Sequence, residues 1–102
     1  MSTETTISLD ARYIRDESVV ARLVGQEFLL VPTRANAAEL DNIYVLNEVA
    51  GRIWELLDGQ RTVSEICDAI VNEFDVERQQ VEKDVIEFLD ALRDVQIITT
   101  AN

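Results

Sequence analysis

The side chains that most often carry catalysis are scarce in this chain. It has no histidine, so it lacks an imidazole base, an imidazole-activated nucleophile and a histidine metal ligand. A single cysteine, Cys67, cannot close an intramolecular disulfide or build a thiolate zinc site. It falls on an apolar stripe, where a thiol behaves as a small hydrophobe. No phosphate-binding glycine loop and no nucleophile–base pair is visible. Neither catalysis nor a cofactor or metal is expected. Carboxylates are abundant instead: 20 Asp and Glu against 9 Lys and Arg give a net charge of −11 on 102 residues. That field repels nucleic acid and anionic lipid, so neither is expected as a partner. What stays open is binding without chemistry, for which an exposed strand edge, with its unpaired N–H and C=O groups, is one physical means.

Such an edge needs elements to hold it. The length suits one domain and the apolar share of 47% suits a globular one. Residues 1–12 read as a flexible N-terminal tail and 13–100 as the domain. Ser18–Val24 and Glu27–Val31 are strand-prone runs around Gly25-Gln26, a hairpin turn in which glycine supplies positive φ. Pro32 ends the second run. After a polar connection, Asn42–Leu46 reads as a third strand. Asn47 is an N-cap for a helix over 48–58, with Ala50, Ile53, Trp54 and Leu57 inward and Gly59 as its stop. Thr62-Val63-Ser64-Glu65 is a capping box for a second helix, whose stripe is Val63, Ile66, Cys67, Ile70, Val71 and Phe74. Asp75-Val76 breaks the pattern. Val81, Val85, Phe88, Leu92 and Val95 then set the core face of a third helix beginning near Glu77. Ile97–Thr100 is β-prone. The order is that of an α+β fold, a winged helix-turn-helix in which an N-terminal three-stranded antiparallel sheet precedes three helices.

Four blocks in this frame resemble a known family: Tyr44-Val45-Leu46-Asn47, Ile53-Trp54-Glu55-Leu56-Leu57-Asp58-Gly59, Thr62-Val63-Ser64-Glu65-Ile66 and Asp84-Val85-Ile86-Glu87-Phe88-Leu89. Together they are similar to the PqqD family, whose related domain is the RiPP recognition element, over about Val19 to Thr100. Where many members carry glycine after the third helix, this chain has Val95-Gln96. The resemblance implies a non-catalytic domain that captures the leader of a ribosomally made precursor peptide by strand addition. The leader is then presented to a modifying enzyme, such as a radical S-adenosylmethionine enzyme, a cyclase or a leader protease. It also implies that the peptide adds to the third strand, beside the third helix.

On that basis the peptide-binding residues are Ile43, Tyr44, Val45 and Leu46 on the strand and Glu82, Ile86, Leu89 and Arg93 on the helix. Alternation sends Tyr44 and Leu46 one way and Ile43 and Val45 the other, without saying which pair is buried. On a helical wheel Leu89, Glu82, Arg93 and Ile86 lie about 80–140° from Val81, all on one side of the expected core face. Trp54 reads as a core anchor.

Three other functions compete. A winged-helix DNA-binding regulator would present cations on the third helix, yet residues 77–95 hold six acidic side chains against Arg78, Lys83 and Arg93, a balance of −3. A small enzyme would need a carboxylate pair in a pocket. A general protein-interaction adaptor would use the same edge. A bare edge can also pair with its twin, so a homodimer is a further expectation. The first thirty residues show no secretory pattern and no apolar run is long enough for a membrane helix, so the expected setting is cytoplasmic.

Overall fold

The computed structural model describes residues 7–32 and 44–101. They form two small antiparallel sheets against three helices. The strands are β1 (Arg12–Arg15), β2 (Val19–Val24), β3 (Glu27–Pro32), β4 (Tyr44–Leu46), β5 (Asp58–Thr62) and β6 (Ile98–Thr100). The helices are α1 (Glu48–Glu55), α2 (Val63–Phe74) and α3 (Arg78–Asp94). The expected three-stranded sheet is present in the order β2-β3-β4. A second sheet, in the order β5-β1-β6, was not anticipated.

The hairpin forms where the sequence places it. Val24 and Glu27 pair across Gly25-Gln26, and Gly25 takes φ +64°, a region costly for any residue with a Cβ. The N-caps act as expected. The Asn47 side chain accepts from the Ala50 N–H at 2.8 Å. Thr62 Oγ1 accepts from the Glu65 N–H at 3.1 Å, and the Glu65 carboxylate accepts from the Thr62 N–H at 2.8 Å. Asp75 ends α2 in the left-handed region at φ +54°.

Two sequence expectations need correcting. Helix α1 stops at Glu55 rather than Asp58, because residues 58–62 leave to pair with β1. The Arg15 guanidinium donates to the Trp54 and Glu55 carbonyls at that helix end, supplying a cation where the dipole favours one. Residues 7–12, expected as part of a loose tail, are seated on the core. Ile7 is only 2% exposed, and the Val63 and Ser64 N–H groups donate to the Ala11 and Leu9 carbonyls. Short β-prone pieces such as Arg12–Arg15 acquire order from distant partners that a local reading does not see.

The core joins all these parts. Leu30 from the first sheet, Ile98 from the second, Leu57 after α1, Ile66 and Ile70 of α2, and Val85 and Leu89 of α3 are fully buried. Trp54 and Cys67 are core residues too, as expected. Gly51 lets the first sheet approach α1: a Cβ there would overlap the Phe28 ring. Among the described residues, no helix is long and apolar enough to cross a membrane.

Candidate functional site

Strand β4 pairs with β3 through Phe28↔Leu46, Leu29↔Val45 and Leu30↔Tyr44. It has no strand on its other side among the described residues. Its backbone on that side is therefore an acceptor site for an added strand. The alternation left open by the sequence is settled at two positions. Leu46 is 6% exposed and shares the inner face with Phe28 and Leu30, whereas Val45 is 58% exposed on the outer face. Tyr44 lies in β4 opposite Leu30, and Ile43 lies outside the described residues.

The chain turns directly from β4 into α1 at Asn47, and a concavity of about 280 Å³ opens between α1 and α3. Val49 and Ala50 line one wall; Val76, Asp84 and Phe88 line the other. Its surface is mostly apolar, and Asp84 is its one ionisable group, held by the Gln80 amide at 2.9 Å. An apolar hollow beside an unpartnered strand edge offers what strand addition needs: main-chain bonds for affinity and a side-chain pocket for choice.

The wall of α3 that meets this hollow is not the one expected. The buried residues of α3 are Val81, Val85, Leu89 and Leu92. Leu89 is fully buried, so it offers no surface to a partner, while Phe88, expected in the core, is half-buried and faces the hollow. Val95, also expected in the core, is 42% exposed because it caps the helix. The expected set centres on the bearing of Val81 and the buried set about 35° closer to Leu89, so Phe88 and Val95 fall outside the core and Leu89 falls inside it.

Of the other expected site residues, Glu82 accepts from Arg78 Nε at 2.8 Å. Arg78 also donates to Ser64 Oγ and Asp68 of α2, so Glu82 belongs to the flank that α2 covers. The paired carboxylates raise the Arg78 pKa, Glu82 most. Arg93 pairs with Asp90 at 2.6 Å, one turn back on its own helix. Ile86 is half-buried against the core. Asn47, which directly follows Leu46 of β4, lines the hollow together with Val76, Asp84 and Phe88, whereas Val45 and Leu46 line a second cleft and Glu82, Ile86 and Arg93 line neither. The signal for Phe88 and Asp84 was present in their spacing with Gln80. It could not be used without knowing where α1 packs.

On the other side of Asn47 lies a wider, open cleft of about 1050 Å³. The inner face of the hairpin end and the bases of α1 and α2 enclose it. Arg52 donates to both Glu73 oxygens at 2.8 and 3.0 Å and to Glu55 at 3.2 Å, tying α1 to α2. The guanidinium holds the Glu73 carboxyl below its usual range, and Arg52 is raised in return. Cys67 lies elsewhere, fully buried, and desolvation pushes its thiol pKa up. Among the described residues no group of three or more His, Cys, Asp or Glu is placed to hold a metal ion.

Comparison with known proteins meets this geometry. The family model of coenzyme PQQ synthesis protein D (PqqD) matches residues 17–98. This chain belongs to the PqqD family. Among solved structures, TbiB1 in complex with the TbiA(beta) leader peptide is 30% identical, with a TM-score of 0.67, over 83% of this chain and 93% of that one. Lasso peptide synthetase B1 complexed with the leader peptide shares the fold at 17% identity, with a TM-score of 0.69, over 87% of this chain and 99% of that one. No curated protein matches. The matched residues include both the β4 edge and the α1–α3 hollow, and residues 7–16, which supply β1, precede them.

Proposed function

We propose that this PqqD-family chain is a leader-peptide-binding chaperone. It captures an extended segment of a ribosomally made precursor on the free edge of β4 and presents the precursor to a separate modifying enzyme. The observation that carries the reading is the β4 edge opening beside the hollow under Phe88. The two similar structures, each complexed with a leader peptide, support a leader as the ligand. Main-chain pairing holds any extended peptide. A leader side chain entering between Ala50 and Phe88 supplies selection. Reaction chemistry belongs to the partner enzyme in this reading.

The DNA-binding alternative finds no support at α3. Arg78 is committed to Glu82 and Asp68, and Arg93 pairs with Asp90. Two of the three cations of residues 77–95 are thus neutralised within the chain, and six acidic side chains accompany the third, Lys83.

The test is an NMR titration of isotopically labelled protein with the TbiA(beta) leader and with leaders of precursors encoded beside this chain's gene. Amide shifts at Tyr44–Asn47, with side-chain shifts at Phe88 and Ala50, are expected on addition of the cognate leader. Shifts confined to α2 or to the β5-β1-β6 sheet would reject the proposed edge.

A further inference from the structure

The open cleft beyond Asn47 is lined by apolar side chains from three elements: Leu23 and Phe28 of the hairpin, Leu46 of β4 and Phe74 at the end of α2. Leu23 is 63% exposed, a large apolar side chain facing water. The charged groups around this floor are Glu27, Glu48, Glu55, Glu73 and Arg52, a balance of 1 − 4 = −3. Arg52 is consumed by Glu73 and Glu55. Glu27 and Glu48 have no ion-pair partner among the described residues.

This cleft is continuous with the peptide edge. Val45, Leu46 and Asn47 line it, and Asn47 also lines the α1–α3 hollow. A peptide laid along β4 therefore reaches the cleft when it runs past Asn47. An apolar floor ringed by uncompensated carboxylates matches a segment with apolar and cationic residues, and disfavours an acidic one.

We propose that the segment of the leader flanking its β4-paired strand is basic and apolar, and that it seats in this cleft against Leu23 and Phe28, with Lys or Arg side chains near Glu27 and Glu48. The proposal rests on the strand-addition reading and deepens it. It defines the substrate class as leaders carrying a cationic stretch on the side that passes Asn47.

The experiment uses the full chain and the leader that shifts the β4 amides. That leader is synthesised with a short oligolysine, oligoglutamine or oligoglutamate tail at either end, and affinities are measured by fluorescence anisotropy. At low salt, the lysine tail on one end is expected to bind about threefold to tenfold tighter than the glutamine tail, as a few solvent-facing charge pairs allow. The glutamate tail should bind correspondingly weaker. The preference should vanish at about 1 M salt, where the Debye length falls to about 3 Å. It should also vanish in the Glu27→Gln/Glu48→Gln double variant, in which the leader still shifts the β4 amides. Equal affinity for all tails at both ends overturns the proposal while leaving the β4 shifts, and so the strand-addition reading, intact. A lysine preference that survives in the double variant also overturns it. If no leader shifts β4 at all, the strand-addition reading fails and this proposal with it.

Discussion

The two flanks of α3 are built from similar residues and put to different uses. One flank carries Arg78 and Glu82, and an ion-pair cluster with Ser64 and Asp68 fastens it to α2. The other carries Gln80, Asp84 and Phe88. A side-chain bond there joins Gln80 to Asp84 within the helix, and its apolar side opens on the hollow beneath α1. Between them run Val81, Val85, Leu89 and Leu92, buried throughout. The contrast teaches that an amphipathic helix with two polar margins does not announce which margin its neighbours will cover. Coverage is decided by α1 and α2, whose positions depend on Gly51 admitting Phe28 and on Arg52 reaching Glu73.

The largest effect belongs to the residue between the flanks. Leu89→Ala removes a fully buried side chain at the centre of the core. It should cost about 2–5 kcal/mol in chemical denaturation, through lost transfer energy and the cavity left behind. If Leu89 instead lay on a peptide-facing margin, stability would hardly change and leader affinity alone would fall.

Next comes the open flank. Phe88 is half-buried, so Phe88→Ala should destabilise the fold less than Leu89→Ala does. Leader affinity should fall about tenfold or more, the scale of losing a central aromatic contact at an interface. Calorimetric titration against the same leader measures it. Unchanged affinity in Phe88→Ala would place the peptide on the other flank and reverse the comparison.

Much of this was legible before any coordinates. The hairpin at Gly25, the Asn47 cap, the Thr62–Glu65 box, the break at Asp75 and the edge strand before α1 all follow from local chemistry, and all are present. The blocks around Leu46-Asn47 and Leu56–Gly59 also sufficed to identify the family. Features set by distant partners were not legible. The β5-β1-β6 sheet joins residues 44 and 87 positions apart, through Ile14↔Asp58 and Tyr13↔Thr100; the β-prone run at Ile97–Thr100 was visible, but its partners, in short polar strands, were not. The setting of α3 failed for a related reason. Val95 extends the heptad-like spacing in sequence, but it caps the helix and points to water. Counting both Phe88 and Val95 as core is what left Leu89 outside it.

The exit from α3 sharpens the point with a smaller effect. Gln96 adopts φ +67°, and its N–H donates to the Arg93 carbonyl while the Ile97 N–H donates to that of Leu92. That is a Schellman closure, which normally places glycine at the left-handed residue. Glutamine there bears a steric cost of about 1–2 kcal/mol. Gln96→Gly should recover about 1 kcal/mol, offset in part by the greater freedom of glycine in the unfolded chain. A rise of several degrees in Tm is the expected readout, about 4–8 °C per kcal/mol for a domain of this size. Leader affinity should not move, because this cap fixes the end of the helix and lies on neither flank.

The smallest effect tests the closed flank directly. The Glu82 carboxylate sits 2.8 Å from Arg78 Nε, with both side chains about a third exposed. Glu82→Gln removes one charge from a pair that solvent screens, while Arg78 keeps its bonds to Ser64 and Asp68. The stability loss should stay within about 1 kcal/mol and shrink further in salt. Leader affinity should be indistinguishable from that of the unmodified chain, since Glu82 faces α2 and not the hollow. An Asp84→Asn variant provides the matched control. It changes a carboxylate two residues away, about half a turn around the helix, into an amide on the flank that lines the hollow, and should alter affinity for a basic leader while leaving stability within the same margin. The two substitutions remove equal charge from the same helix. Any difference in their effect on binding is therefore a difference of flank. If Glu82→Gln weakened binding as much as Asp84→Asn, the leader would be responding to the overall field of the chain and not to the groove.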